Sequence, residues 1–237
     1  MIDKNVVRII KNISKINNNF YLDKTIYNST ESGDIIVKYS HNCDNEIFSN
    51  IPVIDVYSLC NDIEELESYD TNIEDNHIKI VGYHKKGLKV KIDKLFGDID
   101  NISEKVEKII GIYNNEMEDV LRCKISGDIM DYIFKKSKKV DQSDPIITFR
   151  DEDGKLKVDI ENKNLSVMRY SIDIDDYDIT DLDSKISLNV ENLKKLVSDK
   201  EGYHITIKKL DMEEPFFLVH IKPLSIENID YYFSIVI

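Results

Sequence analysis

The residues best placed to do chemistry in this 237-residue chain are cations at helical spacing. Lys4, Arg8, Lys11 and Lys15 follow one another at intervals of four, three and four residues. At 100° per residue they share a sector about 60° wide. Ile2, Val6, Ile9, Ile13 and Ile16 form an apolar stripe centred about 150° away. The pattern recurs in the second half, where Lys135, Lys138 and Lys139 lie opposite Ile129, Met130 and Ile133, with Lys136 on the flank. Cations along a helix attract phosphates without reading bases, which gives salt-sensitive, sequence-independent binding. On one helix alone, a wet face is the better account of lysines opposite a core. The repetition favours phosphate binding, because a chain of net charge −13 meets nucleic acid only through cations gathered on one surface. Lys195 extends the pattern, opposite Val190, Leu193, Leu196 and Val197. Asp62, Glu64, Glu65 and Glu67 run against it, placing acids on the corresponding helix of the first half.

Other chemistry finds little footing. His41, His77, His84, His204 and His220 are scattered, without an obvious acid or nucleophile beside them, so no residue is assigned a catalytic role. His41 and Cys43 fall short of a metal set, and the acidic run from Asp173 to Asp178 lacks the glycine and closing glutamate of a calcium loop. No glycine-rich phosphate loop is present among the eight glycines. Neither a metal nor a cofactor is expected. Cys43, Cys60 and Cys123 are odd in number and form no CxxC pair, which suits a reducing compartment. No apolar run approaches the roughly 18 residues of a membrane span, and the opening residues lack a signal peptide's apolar stretch, so a cytoplasmic protein with no membrane partner is expected.

Periodicity supplies the elements that must position the cations. Helical spacing covers residues 3–17, 55–68, 126–139 and 190–198, and β-type runs fall at 20–22, 25–27, 35–39, 51–54, 72–73, 77–81 and 88–95. In the second half they fall at 146–149, 155–160, 167–174, 185–188, 203–208, 216–221 and 231–237, the first two joined by an Asp153-Gly154 turn. The acid-crowded stretch 96–119 reads as a connection with a helical turn near 103–110. Helix, strands, helix, strands is thus written twice, an α+β chain with domains at 1–97 and 118–237 and a linker at 98–117.

Four segments stand out: Arg169-Tyr170-Ser171-Ile172 followed by Asp176-Tyr177-Asp178, the most specific; the opening helix running into Ile16-Asn17; Val53-Ile54-Asp55 leading to Leu59; and Asn76-His77-Ile78-Lys79-Ile80. In register along essentially the whole chain, they resemble the DNA polymerase sliding clamps of T-even-type bacteriophages and, more distantly, PCNA. The resemblance implies two similar clamp domains per chain, helices on one face of antiparallel sheets, and three copies closed into a ring around double-stranded DNA. It implies a DNA polymerase and a clamp loader as further partners. Copies would join through the edge strands holding Leu88, Lys89, Val90, Lys91 and Ile92 on one side and Val167, Arg169, Ser171 and Asp173 on the other, basic against acidic. Tyr231, Tyr232 and Phe233 would contribute to a pocket for partner tails near the linker, although strand alternation sends some of them into the core. A relative of the same fold that works without closing a ring is the alternative.

Overall fold

Asp3 starts the first helix: its carboxylate accepts the Asn5 N–H at 2.6 Å, and α1 runs Lys4–Ile13 with Val7, Ile9, Ile10 and Ile13 buried. It ends earlier than its periodicity suggests because buried Asn28 donates to the carbonyls of Ile13 (3.0 Å) and Asn17 (2.8 Å), satisfying groups a longer helix would have used. The computed structural model describes residues 2–74, 76–140, 144–162, 169–179, 182 and 185–236. The chain divides into two units, residues 1–32 with 36–106 and residues 107–237 with 33–35.

In the first unit, α1 is followed by β1 (Phe20–Asp23), β2 (Thr25–Ser29), β3 (Ile35–Ser40) and β4 (Ser49–Val53), with antiparallel pairs β1–β4 and β2–β3. Then comes α2 (Val56–Glu64), which lies against α1. Its N-cap Asp55 sits at φ 57° and accepts the Ser58 N–H at 3.2 Å. The Asn18 amide, donating to the same carboxylate, holds its pKa below the usual range. The unit closes with β5 (Leu66–Glu74), β6 (His77–His84) and β7 (Lys89–Leu95), an antiparallel sheet in that order. Ile78 and Ile80 of β6 are fully buried, and Val53, Val56 and Leu59 of the same unit are buried too.

After α3 (Ser103–Asn115), the second unit contains β8 (Glu118–Ile125), α4 (Gly127–Val140), β9 (Pro145–Glu152), β10 (Lys155–Asn162), β11 (Tyr170–Asp173), β12 (Tyr177–Ile179), β13 (Ile186–Asn189), α5 (Val190–Leu193), β14 (Tyr203–Leu210), β15 (Phe216–Pro223) and β16 (Ile229–Val236). Within this unit one sheet has the order β12-β8-β14-β15-β16 and a second β11-β10-β9-β13, all antiparallel. Met130 and Ile133 of α4 are buried, and the helix lies against β9 and β10, whose Ile147, Phe149, Val158 and Ile160 have no exposed surface. Gly202, at φ +109°, lets the chain pass beside β8; a Cβ there would stand 2.2 Å from the Ile125 carbonyl oxygen.

Four expectations change. The helix expected over 55–68 stops at Glu64, and residues 66–74 form a strand, because Tyr69, Thr71 and Ile73 gain sheet partners on β6 that outweigh the helical charge pattern. The acidic connection contains a 13-residue helix rather than one turn; Val106, Ile110, Tyr113 and Met117 recur at four, three and four and are buried. β8 begins at the end of that stretch and runs past it, a strand absent from the sequence expectation, with Val120, Leu121, Cys123 and Ile125 buried along it. The helix expected over 190–198 is one turn, Val190–Leu193.

His41, unplaced by the sequence, is buried beside Phe48, with ring centroids 4.2 Å apart, and its Nδ1 accepts the Cys43 N–H at 3.2 Å. Burial pushes its pKa below the usual histidine value, more than the Asp23 backbone pushes it up. Below about pH 6.5 the unfolded chain therefore takes a proton that the folded chain resists. Stability is expected to fall as the pH drops through that value. Urea midpoints at pH 7.5 and 5.5 measure the drop, and His41→Gln should shrink it; an equal drop in both proteins would contradict the assignment.

Candidate nucleic-acid interface

α1 presents Lys4 and Arg8 to solvent, on the side turned from its buried residues, and Lys15, in the turn just past the helix end, is exposed as well. Val6, expected in the core, is half-buried, and Val7 and Ile10 take its place, which leaves the cationic sector intact. Among the described residues no carboxylate comes within ion-pair range of these three cations. Lys15 donates to the Asn12 side chain at 2.8 Å. Lys11 behaves differently. Its ammonium lies 2.5 Å from the Glu64 carboxylate on α2 and 5.6 Å from the centre of the Tyr57 ring. The hydrogen bond to Glu64 raises its pKa, so Lys11 stays charged while its charge is already answered.

That pair accounts for one of the acids on the second helix. Glu64 is neutralised by Lys11, Asp62 faces Lys94 at 3.8 Å, and Glu65 faces His84 at 3.6 Å. Lys94 also donates to Ser58 at 2.8 Å, tying β7 to α2. Glu64 and Asp62 are thus compensated inside their own unit, whereas Glu65 meets an imidazole that carries charge only when protonated; the open positive charge of α1 keeps its reach toward a polyanion.

On α4 the cations gather in the C-terminal half. Lys135, Lys138 and Lys139 are exposed. Asp128 and Asp131 are exposed earlier on the same side, so this face is less purely basic than that of α1. The division of charge also matches the helix dipole, acid at the start and base at the end. Lys136 sits 5.0 Å from the Tyr132 ring centre and 4.5 Å from that of Tyr170, a cation held between two aromatic faces rather than in open solvent. Lys195 lies beyond the end of α5, half-buried, because that helix is a single turn.

The two proposed joining strands are both edges. Among the described residues, β7 pairs with β6 alone and β11 with β10 alone. Neither buries a residue: Lys89, Lys91 and Asp93 alternate with half-buried Val90, Ile92 and Lys94, and exposed Ser171 and Asp173 alternate with Tyr170 and Ile172. Leu88 and Leu95, 64% and 68% exposed, stand at the two ends of β7. Lys91 pairs with Asp93 at 3.3 Å. Arg169, expected at the junction, pairs within its own unit with Asp159, which is 1% exposed and also held by Arg150 at 2.5 Å. Burial alone would raise the Asp159 pKa, but hydrogen bonds from Arg169, Ser171 and Arg150 outweigh it and hold the carboxyl below its ordinary value. Val167 lies outside the described residues.

Of the three aromatic residues placed in a partner pocket, Tyr231 is buried in the core with its hydroxyl accepting the Val197 N–H at 3.2 Å. Tyr232 stacks on His220 at 4.8 Å and meets Tyr113 of α3 edge-on at 5.4 Å. Phe233 alone of them lines a groove of about 460 Å³, together with Ile146, Leu188 and Ile235, beside the polar Asp34, Asp144 and Lys185. Sequence spacing could not find the aromatic contacts of Lys11 and Lys136, because Tyr57 and Tyr170 are remote in the chain.

No family model and no curated protein matches the chain. Solved structures do. A Caulobacter crescentus beta sliding clamp aligns over 100% of this chain and 64% of its own, at 11% identity and a TM-score of 0.64. A Pseudomonas aeruginosa DNA polymerase sliding clamp aligns over 100% and 65%, at 9% identity and a TM-score of 0.62. The DNA polymerase III subunit beta of Borrelia burgdorferi aligns over 99% and 61%, at 15% identity and a TM-score of 0.60. The chain spans a little under two thirds of the length of these neighbours. At such identities the likeness is one of architecture: two similar α+β units with antiparallel sheets give this chain the sliding-clamp fold.

Proposed function

We propose that this protein is a sliding clamp of the T-even-phage type, a processivity factor that holds a DNA polymerase on duplex DNA and catalyses nothing itself. Three copies, each with a clamp domain on either side of the 98–117 connection, close into a ring with the faces of α1 and α4 toward the DNA. The observation that carries this reading is the recurrence, on α1 of the first unit and α4 of the second, of exposed cations turned from the core in a chain of net charge −13. Such a surface attracts phosphates at any sequence and allows sliding.

The free edges of β7 and β11 support head-to-tail closure, since pairing them removes two strands otherwise open to aggregation. Lys89 and Lys91 would face Ser171 and Asp173 of the next copy. The groove beside Phe233 is the site assigned to partner tails, with the polymerase and a clamp loader as the proteins that supply them.

Native mass spectrometry of the purified chain, with crosslinking to hold weak assemblies, tests the ring. Three copies are expected, and Lys89→Glu combined with Lys91→Glu should shift the population to monomer. A chain that stays monomeric under crosslinking would favour the same fold acting without a closed ring, and unchanged assembly in the double variant would remove β7 from the junction.

A further inference from the structure

The tip of the β6–β7 hairpin gathers positive charge within an acidic chain. Lys85, Lys86 and Lys89 are exposed within five residues, together with Tyr83 and Leu88, which are 52% and 64% exposed. Exposed apolar side chains rimmed by charge mark a docking surface.

One imidazole sets the shape of this tip. The turn closes by backbone bonds from the His84 N–H to the Leu88 carbonyl (2.8 Å) and from the Gly87 N–H to the His84 carbonyl (2.7 Å). Gly87 takes φ +78°, a conformation that suits glycine. The Lys86 N–H then donates to His84 Nδ1 at 3.0 Å. A backbone amide can only donate, so Nδ1 carries no proton in this arrangement. On the other side of the ring, Nε2 lies 3.6 Å from the Glu65 carboxylate at the end of α2, and the Glu65 carbonyl accepts the Lys85 N–H at 3.3 Å. The charged groups around the imidazole are Glu65, Glu67 in the bulge of β5 opposite, Lys85 and Lys86 in the turn, and Lys89 at the start of β7.

Protonating the ring places a hydrogen on Nδ1, which can then no longer accept. The Lys86 amide loses its partner and must turn away, while the imidazolium is drawn toward Glu65. We propose that His84 is a proton-operated catch on this hairpin tip, and that the surface it shapes docks on the acidic turn of a second copy, at exposed Asp175, Asp176 and Asp178. The choice of occupant rests on the self-association reading above: the tip leads into β7 and the acidic turn follows β11, so the two flank the edges that would join, with opposite charge.

Nuclear magnetic resonance from pH 8 to pH 5.5 tests the catch, with His84→Asn as the control, since its Oδ1 can accept the Lys86 N–H but does not titrate. The Lys86 amide resonance is expected to follow the His84 titration in the native chain and to hold still in the variant. Self-association should weaken about tenfold from pH 8 to pH 5.5 in the native chain, the scale of one lost hydrogen bond, since Glu65 beside the ring answers the added charge and leaves the attraction for the acidic turn little changed, and stay level in the variant. A Lys86 amide indifferent to the titration overturns the catch, as does a variant that keeps the tenfold response. An amide that follows the ring in a protein that associates at neither pH leaves the catch standing and removes the docking, together with the reading on which it rests.

Discussion

Replacing Lys4, Arg8 and Lys15 together by glutamine is expected to weaken binding to duplex DNA several-hundredfold at about 0.1 M salt, with equal loss on unrelated sequences. Each phosphate contact contributes about 0.9 to the slope of log affinity against log salt, which is about eightfold per contact at that concentration. The three cations are exposed, on one face, and without a carboxylate in ion-pair range among the described residues. Lys11→Gln is the internal control. Although it shares their helical sector, its charge is spent on Glu64, so the salt slope should barely change. Titrations of labelled duplex at several salt concentrations would measure both. A loss for Lys11→Gln as large as for each of the other three would show that the Lys11–Glu64 pair does not set which cations reach DNA.

The largest single effect on stability is expected at Asp159. Asp159→Ala should lower the free energy of unfolding by about 3 kcal/mol, the scale for breaking a buried pair from one side. The carboxylate is 1% exposed and joins β9, β10 and the segment leading into β11 through Arg150 and Arg169. Its loss strands Arg150, only 17% exposed along its side chain, with Glu152 as the remaining partner. Replacing Asp159 and Arg150 together by leucine and methionine should cost less, because no charge is then left buried alone. The sign with pH is fixed by the depressed carboxyl: its contribution is complete above about pH 4 and is lost as the pH falls through the folded pKa. Urea unfolding at pH 7 and pH 3 reads both effects. A loss below about 0.5 kcal/mol at pH 7 would contradict the role given to this network.

What the sequence revealed and what it concealed follow from the range of the interactions. The opening helix, the α4 helix and the hairpin through Asp153-Gly154 are set by spacing within about fifteen residues, and all three are present. The strand at 66–74 was hidden because Glu67, Asp70 and Glu74 mask an alternation that only pairing with β6 makes decisive. β8 was hidden in the same way, by Glu118, Asp119, Arg122 and Lys124 alternating with its buried residues. At the site, the cationic faces were visible as periodicity. Which cations are open was not, because Lys11 is paired with a residue 53 positions away and Lys136 with a ring 34 positions away. The resemblance and its strand place Arg169 at a junction, whereas its partner Asp159 is silent in the sequence, because one aspartate in a strand of mixed polar and apolar residues announces nothing until two guanidinium groups are brought to it.

Topology separates a protein that encircles DNA from one that merely adheres to it. The most direct measurement is retention of the assembled protein on a closed circular duplex at a salt concentration that abolishes simple phosphate binding, compared with the same duplex cut once. Retention on the circle with release on cutting is the predicted result. Equal retention on circle and linear duplex, or equal loss from both, would contradict a ring.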